Sequence, residues 1–344
     1  MPDIRQVDPH DDTAFRAWFT ALHDGAVAGR TAPLVATYDA MSQSLRNPGD
    51  TLRRIPVAAV EGDQTVGALL LELPLTENLD TATLEIDVPP QHRGRGVATA
   101  LWDCVRARAR EEQRTVLQAE VNIPDGETPD TWSGARFATG LGFVSEHVED
   151  HLVVPLPYDG TTLDGLDAAG DDGYRLTSWA GRCPEQHLQA YADLQTEMSR
   201  DVPTGGLAVD AVVFGVDRVR TGDERLARSY LSLVTLATTA DGEPAGYTQI
   251  FAPLSDPENL MQDDTLVHSA HRGHNLGTLL KATNLRQLAE HHTAGRWLHT
   301  WTAETNAAMQ RVNARFGFRP VEKMHEYQLA ARSTSAAAQG HPVP

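Results

Sequence analysis

Two short segments of the sequence combine glycines with basic side chains immediately before a helix-like run. They are QHRGRGVATA (residues 91–100) and AHRGHNLGTL (residues 270–279). A turn that ends a strand and opens a helix presents unpaired backbone N–H groups at the positive end of the helix dipole. Glycine lets the backbone approach a phosphate closely, and arginine adds charge-assisted hydrogen bonds. Both segments therefore predict a site for a diphosphate or a similar anion.

Other phosphate-binding turns fit these segments poorly. A P-loop requires GxxxxGK followed by Ser or Thr, which neither segment contains. A dinucleotide fingerprint requires GxGxxG, but Thr99 stands at its third glycine. The first segment instead contains QxxGxG, formed by Gln91, Gly94 and Gly96, between a strand-like run and an amphipathic helix. This arrangement resembles the pyrophosphate loop of the GCN5-related N-acetyltransferases (GNAT), which bind acetyl-CoA.

Two further pairs of segments carry the same resemblance. Residues 84–101 are similar to the fourth strand, loop and third helix of that family, and residues 135–143 to its fourth helix and the following turn. Residues 264–285 and 306–318 repeat these segments in the second half. They resemble actinomycete proteins with two fused acetyltransferase domains, some from antibiotic biosynthesis clusters. The resemblance implies an α/β (α+β) fold with two tandem GNAT domains, each a mixed central sheet flanked by helices.

The order of the predicted elements supports this duplication. In each half, several strands precede the Gly-rich turn, which is followed by a helix, a strand, a helix and a final strand. The helices after the two turns are predicted to run from Val97 to about Gln113 and from Leu276 to about His291. The length of 344 residues suits two domains of ordinary size. We therefore predict an N-terminal GNAT domain (1–157), a Gly-, Pro- and Asp-rich linker (158–173), a C-terminal GNAT domain (174–330) and a flexible tail (331–344).

The charge of the chain limits the kinds of molecule that it is expected to bind. It carries 47 acidic and 29 basic residues, a formal net charge of -18. This balance disfavours non-specific binding to nucleic acid or anionic lipid, and favours a cationic or amine partner. No run is long and apolar enough for a membrane span, and the two cysteines are far apart in the sequence. We predict a cytoplasmic protein with no nucleic-acid or membrane partner; nothing in the sequence indicates an oligomeric state.

The resemblance implies which residues hold acetyl-CoA. Backbone groups of the strand before each turn would pair with the pantetheine arm, and N–H groups of the turn would hold the diphosphate. In the first half these residues are Ile86, Val88, Gln91, His92, Arg93, Gly94, Arg95, Gly96, Val97 and Ala98. In the second half they are Val267, His271, Arg272, Gly273, His274, Asn275, Leu276, Gly277 and Asn306. One or two molecules of acetyl-CoA per chain are expected.

The two turns differ at two positions. Ala270 stands where the first turn has Gln91, and Asn275 stands where it has Gly96. Asparagine tolerates a left-handed backbone better than most residues, so the second turn is strained but not excluded. We therefore expect the first domain to bind the cofactor better.

The usual acid of the family is missing from both halves. In the family a tyrosine often stands five residues before the phenylalanine of a Gly-Phe pair, and it protonates the leaving thiolate. The chain has Ala138 and Asn313 at these positions. An asparagine side chain can still donate a hydrogen bond to sulfur, whereas alanine cannot.

Several carboxylates are candidates for the general base. The family commonly uses a carboxylate on its fourth or fifth strand, and each candidate can equally be a solvated strand residue. We prefer Asp264, because it aligns with Glu85 when Val267 is placed on Val88, and Glu304 is its rival. Alternation along a strand sends Asp263 and Asp264 to opposite faces. The full set is Glu85 and Glu120 in the first domain, and Asp263, Asp264 and Glu304 in the second.

These features predict an N-acetyltransferase that transfers acetyl from acetyl-CoA to an amine of a small molecule. The second domain would do the chemistry with Asp264, Glu304 and Asn313, and the first would hold cofactor for structure or regulation. Two alternatives stay open: a non-catalytic acetyl-CoA-binding regulatory protein, and a protein or peptide N-acetyltransferase. The HxxHxxH pattern of His268, His271 and His274 passes through an irregular turn, so no metal site is predicted.

Overall fold

The computed structural model describes residues 1–167 and 173–330. The predicted tail, 331–344, and residues 168–172 of the predicted linker lie outside the described residues. Within the described ranges, no helix has the length and apolar character needed to cross a membrane.

Apart from a short helix at Gly160–Asp167 within the predicted linker, helices and strands follow the same order in both halves, which confirms the predicted mixed α/β fold. The helices predicted after the two turns form at Val97–Glu111 and Leu276–His291. The elements of the first half are β1 (Asp3–Gln6), α1 (Asp12–Val27), α2 (Tyr38–Arg46), β2 (Leu52–Glu61), β3 (Gln64–Pro74), β4 (Thr81–Asp87), α3 (Val97–Glu111), β5 (Val116–Pro124), α4 (Ser133–Gly140) and β6 (Val144–Pro155). Those of the second half are α5 (Gly160–Asp167), β7 (Tyr174–Ala180), α6 (Leu188–Asp201), α7 (Val216–Leu226), β8 (Tyr230–Thr239), β9 (Pro244–Pro253), β10 (Asn259–Val267), α8 (Leu276–His291), β11 (Trp297–Ala303), α9 (Ala307–Arg315) and β12 (Arg319–Ala330).

All twelve of these strands form one sheet, in the order β1-β2-β3-β4-β5-β12-β6-β11-β10-β9-β8-β7. The last strand of each half pairs with the fifth strand of the other half: β12 lies against β5, and β6 lies against β11. These two last strands also pair with each other, antiparallel. The exchange of strands therefore joins the two repeats in one sheet.

Helices cover both faces of the sheet. In the first half, α1 and α2 pack on the face that carries Ala68 and Leu70, and α3 and α4 pack on the face that carries Leu69 and Leu71. This follows from the alternation of side chains along β3, which is buried on both sides. In the second half, α6 and α7 pack on one face and α8 on the other.

A short parallel pairing in each half leaves an opening beside each Gly-rich turn. Strands β4 and β5 pair only over Thr81–Thr83 and Val116–Gln118. Strands β10 and β11 pair only over Asn259–Met261 and Trp297–His299. Because β4 and β10 continue for several residues beyond this pairing, their carboxyl ends have no neighbour on that side. These free strand edges lead directly into the two turns.

Candidate cofactor and catalytic sites

The first Gly-rich turn has the backbone geometry that an anion site requires. Gly94 and Gly96 adopt φ values of 73° and 80°, in the left-handed region that favours glycine. A Cβ at either position would contact no other atom within 4 Å, so open space lies beside the turn. Gly96 is the N-cap of α3, where backbone N–H groups have no partner within the helix. The turn can therefore approach a diphosphate closely.

The second turn keeps the same backbone shape without the second glycine. Asn275 is the N-cap of α8 with φ 57° and ψ 16°, in the left-handed region that Gly96 also occupies. Its side-chain Oδ1 accepts a hydrogen bond of 2.6 Å from Arg315 at the end of α9, and Arg315 also lies 3.3 Å from the Thr278 hydroxyl. Arg315 is not among the residues predicted from the sequence. The feature of the sequence that could have identified Arg315 is that an arginine stands where the first repeat has Gly140.

The arginines that precede the first glycine of each turn bind the protein itself. Arg93 donates through Nε to the Val88 carbonyl at 2.8 Å, and Arg272 donates in the same way to the Val267 carbonyl at 3.1 Å. Arg95 forms an ion pair with Glu61. The Arg93 and Arg272 guanidinium groups fasten the turns to the ends of the preceding strands, and Arg95 is held at the end of β2. The backbone N–H groups therefore remain the predicted ligands of the diphosphate.

Most of the predicted cofactor residues of the first half surround one cavity. It has a volume of about 650 Å³ and reaches from the Gly-rich turn to the face of the sheet beneath α1. Its lining includes carboxylates from three strands in addition to apolar side chains. The predicted cofactor residues in its lining are Ile86, Val88, His92, Arg93, Gly94, Gly96, Val97 and Ala98, whereas Gln91 and Arg95 lie outside it. The carboxylates in its lining are Glu72, Glu85, Asp87 and Glu120.

Two of these carboxylates form a pair on β4. Glu85 and Asp87 lie two residues apart on β4, and both contact the cavity although protein atoms surround them closely. Burial raises the pKa of Asp87 to about 7. Burial and the neighbouring Asp87 charge raise the pKa of Glu85 well above its usual range. A carboxylate with a raised pKa is a better proton acceptor near neutral pH.

The second repeat has a carboxylate at the position equivalent to Glu85. The Tyr247 hydroxyl donates a hydrogen bond of 2.5 Å to Asp264 Oδ2. Burial raises the pKa of Asp264, and the hydrogen bond from Tyr247 opposes that rise. The Asp263 side chain reaches solvent but protein atoms surround it closely, and this desolvation together with the Asp264 charge raises its pKa to about 8. The pairing of β10 with β9 is irregular between Gln262 and Thr265, so both aspartates lie in a bulge.

The remaining predicted residues of the second repeat have protein partners. Glu304 pairs with Lys323 on β12. Asn313 is 1% exposed; its Oδ1 accepts from Lys281 Nζ at 2.9 Å, and its Nδ2 donates to the Thr302 hydroxyl at 2.8 Å. The amide predicted to donate to sulfur thus donates to Thr302 in this structure. Burial lowers the pKa of Lys281 to about 7. The feature of the sequence that could have identified this residue is the position of a lysine within the apolar run of α8.

The other predicted cofactor residues of the second repeat lie in or beside the turn. Asn306 is the N-cap of α9, where its Oδ1 accepts from the Met309 N–H at 3.1 Å. His271 Nδ1 lies 3.2 Å from the Tyr174 hydroxyl, and the His274 ring packs edge-on against the same tyrosine. Three other predicted cofactor residues belong to the turn or to the start of the helix. Gly273 lies in the turn, and Leu276 and Gly277 lie in the first turn of α8. Among the described residues, no group of three His, Cys, Asp or Glu side chains is placed to bind a metal ion.

A buried polar network joins the two repeats where they exchange strands. Glu322 on β12 is 3% exposed and accepts two hydrogen bonds from Arg30, at 2.5 and 2.9 Å. His151 Nδ1 on β6 lies 2.7 Å from Glu322, and His151 Nε2 lies 2.9 Å from His299 Nδ1 on β11. The Trp301 ring stacks on His151 with 4.3 Å between ring centroids. The network connects four segments that are distant in the sequence.

Acidic side chains on the same face of the exchanged strands make stability depend on pH. Burial and the charge of Glu120 raise the pKa of Glu149 to about 7. Burial and the charges of Glu120 and Glu149 raise the pKa of Glu326 to about 7. A carboxyl group with a raised pKa keeps its proton in the folded protein at a pH where the unfolded chain has released it. The stability that these groups contribute at low pH is therefore lost as pH rises through their folded pKa. We expect the thermal midpoint to fall between about pH 6 and about pH 8 in scanning fluorimetry at constant ionic strength. A thermal midpoint that rises over this pH range would contradict the raised pKa values of Glu149 and Glu326.

Comparisons with known proteins agree with this geometry. The acetyltransferase (GNAT) family model matches residues 214–318. A tandem GNAT protein from the clavulanic acid biosynthesis pathway, solved without AcCoA, has 28% identity and a TM-score of 0.80 over 97% of this chain and 100% of its own. A GCN5-related N-acetyltransferase from Sphaerobacter thermophilus has 14% identity and a TM-score of 0.65 over 95% of both chains, which shows a shared fold. No curated protein matches the sequence. The chain therefore has the tandem GNAT fold, and its residues 214–318 match the acetyltransferase (GNAT) family, which supports an acyltransferase.

Proposed function

We propose that the protein transfers the acetyl group of acetyl-CoA to an amine of a small molecule, with the chemistry in the second repeat. The observation that carries this proposal is the Asp264 carboxylate. It lies on the unpaired end of β10, close to the second Gly-rich turn, and Tyr247 holds it in place. The match of the family model to residues 214–318 supports the choice of repeat.

The side chains of this repeat have distinct roles in the proposed reaction. Bound acetyl-CoA supplies the acetyl group as a thioester. The turn from His271 to Gly277 would hold its diphosphate through backbone N–H groups. Asp264 would accept the proton that the amine nitrogen loses as it forms a bond to the acetyl carbon. The bond from that carbon to sulfur breaks, and CoA leaves as the thiolate with the electron pair of that bond. Tyr247 would keep Asp264 ionised, because its hydrogen bond stabilises the charged form.

A second acetyl-transfer site in the first repeat is favoured by a separate observation. There the first Gly-rich turn and the carboxylates Glu85 and Asp87 line one continuous cavity. A cofactor held by the turn and an amine beside the carboxylates would share that space. The acidic lining suits a cationic acceptor.

The test measures acetyl transfer to a panel of small amines and to a lysine-containing peptide, together with hydrolysis of acetyl-CoA. It uses the natural protein and Gly96→Glu, whose side chain would put a negative charge and a strained backbone into the first turn. We expect turnover on a small amine, and Gly96→Glu to retain at least about half of it while losing one cofactor per chain in native mass spectrometry.

Three outcomes would overturn parts of this proposal. Binding of cofactor without turnover on any amine would make the protein a non-catalytic acetyl-CoA-binding protein. Faster transfer to the peptide would make it a peptide acetyltransferase. Loss of turnover in Gly96→Glu would place the chemistry in the first repeat.

A further inference from the structure

The chain between α1 and α2, residues 29–37, forms one wall of the first-repeat cavity, and we name it the α1–α2 segment. It contains no helix or strand, and in the described part of the chain no backbone–backbone hydrogen bond involves residues 31–36. A segment without backbone hydrogen bonds depends on its side-chain contacts for its position. These contacts therefore set the width of the cavity on this side. The residues of the segment in the cavity lining are Arg30, Leu34, Val35 and Ala36.

Both ends of the α1–α2 segment are bound to the second repeat. At its start, Arg30 donates two hydrogen bonds to Glu322 on β12, at 2.5 and 2.9 Å. At its other end, the hydroxyl groups of Thr37 and Ser255 share a hydrogen bond of 2.6 Å. Ser255 lies in the connection between β9 and β10. The second repeat thus holds one wall of a cavity whose Gly-rich turn and carboxylates come from the first repeat.

The two contacts differ in strength, and there is space beside the weaker one. The Arg30 and Glu322 side chains are almost fully buried, whereas Ser255 is exposed, where a hydrogen bond between two hydroxyl groups contributes less. A second cavity, of about 330 Å³, lies between α2 and the second repeat, and Ser255 belongs to its lining. The start of α2 can therefore move outward once the hydrogen bond to Ser255 breaks.

We propose that the α1–α2 segment is a lid on the first-repeat cavity, anchored to β12 by Glu322 and held closed by Ser255 as a positioning residue. Opening the lid breaks both contacts with the second repeat and widens the cavity on the side lined by Leu34 and Val35. Because these two side chains are apolar, the closed lid would pack against an apolar part of a ligand. The proposal concerns the shape of the cavity and stands independently of which repeat transfers acetyl groups.

Trypsin cleavage after Arg30 in the full chain tests the proposal. Trypsin takes the arginine side chain into its own pocket, so it cuts there only while the guanidinium group is released from Glu322. When opening and closing are fast, the cleavage rate follows the population of the open form. Ser255→Ala removes the contact at the other end of the segment, and we expect it to raise this rate by about three- to tenfold. Ser255→Thr keeps a hydroxyl group and should restore the natural rate.

Two controls separate opening of the lid from unfolding of the sheet, and mass spectrometry of the fragments over time measures every rate. Arg54 lies within β2, so cleavage after Arg54 reports loss of the sheet and should be the same in Ser255→Ala as in the natural protein. Ser229→Ala changes another serine of the second cavity, one that has no hydrogen bond to the α1–α2 segment in the described structure, and should leave cleavage after Arg30 unchanged. An unchanged rate after Arg30 in Ser255→Ala would overturn the proposal, as would an equal increase after Arg30 and Arg54.

Discussion

Asp264→Asn is expected to lower kcat by about two to four orders of magnitude, the range for loss of a general base. The amide keeps the size of the side chain and can still accept the hydrogen bond from Tyr247, but it cannot take a proton from an amine. The KM for acetyl-CoA should stay within about twofold, because the second turn is unchanged. Steady-state kinetics at saturating amine measures both values.

Two further variants sharpen this experiment. Glu85→Gln changes the equivalent position of the first repeat and should keep most of the turnover if the second repeat does the chemistry. Tyr247→Phe removes the hydrogen bond that lowers the pKa of Asp264. The acidic limb of its pH profile should therefore move to higher pH, because the base is ionised only there. Retention of turnover in Asp264→Asn together with its loss in Glu85→Gln would exchange the roles of the repeats.

Glu322→Gln is expected to lower the free energy of unfolding by about 3 to 5 kcal/mol, the usual result of removing one partner of a buried ion pair. The Arg30 and Glu322 side chains are 6% and 1% exposed. The variant would leave the Arg30 guanidinium buried without a negative partner and weaken the hold on His151. Burial raises the pKa of Glu322, but the hydrogen bonds from His151 and Arg30 together outweigh burial and lower it. The stabilisation is thus present near neutral pH and is lost as pH falls through the lowered pKa.

Urea denaturation of Glu322→Gln and of Glu304→Gln measures this effect with a matched control. Glu304 also pairs with a residue of β12, Lys323. In this pair the Glu304 side chain is 48% exposed and the Lys323 side chain is 50% exposed. An exposed pair of this kind contributes at most about 1 kcal/mol. Equal losses in the two variants would show that the buried network does not hold the exchanged strands.

Local patterns in the sequence determined the parts of the site that depend on neighbouring residues. The glycines at 94 and 96 indicated a left-handed turn, and the helices after both turns begin where their apolar spacing begins. The likeness between residues 84–101 and 264–285 indicated two repeats, because each turn needs a strand before it and a helix after it. These features indicated the resemblance to the GNAT family from the chain alone.

The tertiary structure alone decided which strands meet. A strand's alternation shows which face is buried but not which distant strand lies beside it, so the pairing of β12 with β5 and of β6 with β11 left no local signal. That pairing brings Glu322 to Arg30 and His151, and Glu326 to Glu120. Likewise, Asn275 and Arg315 meet only because α9 packs near the start of α8. The cofactor turns are encoded by consecutive residues, whereas the charged groups between the repeats come from residues far apart in the sequence.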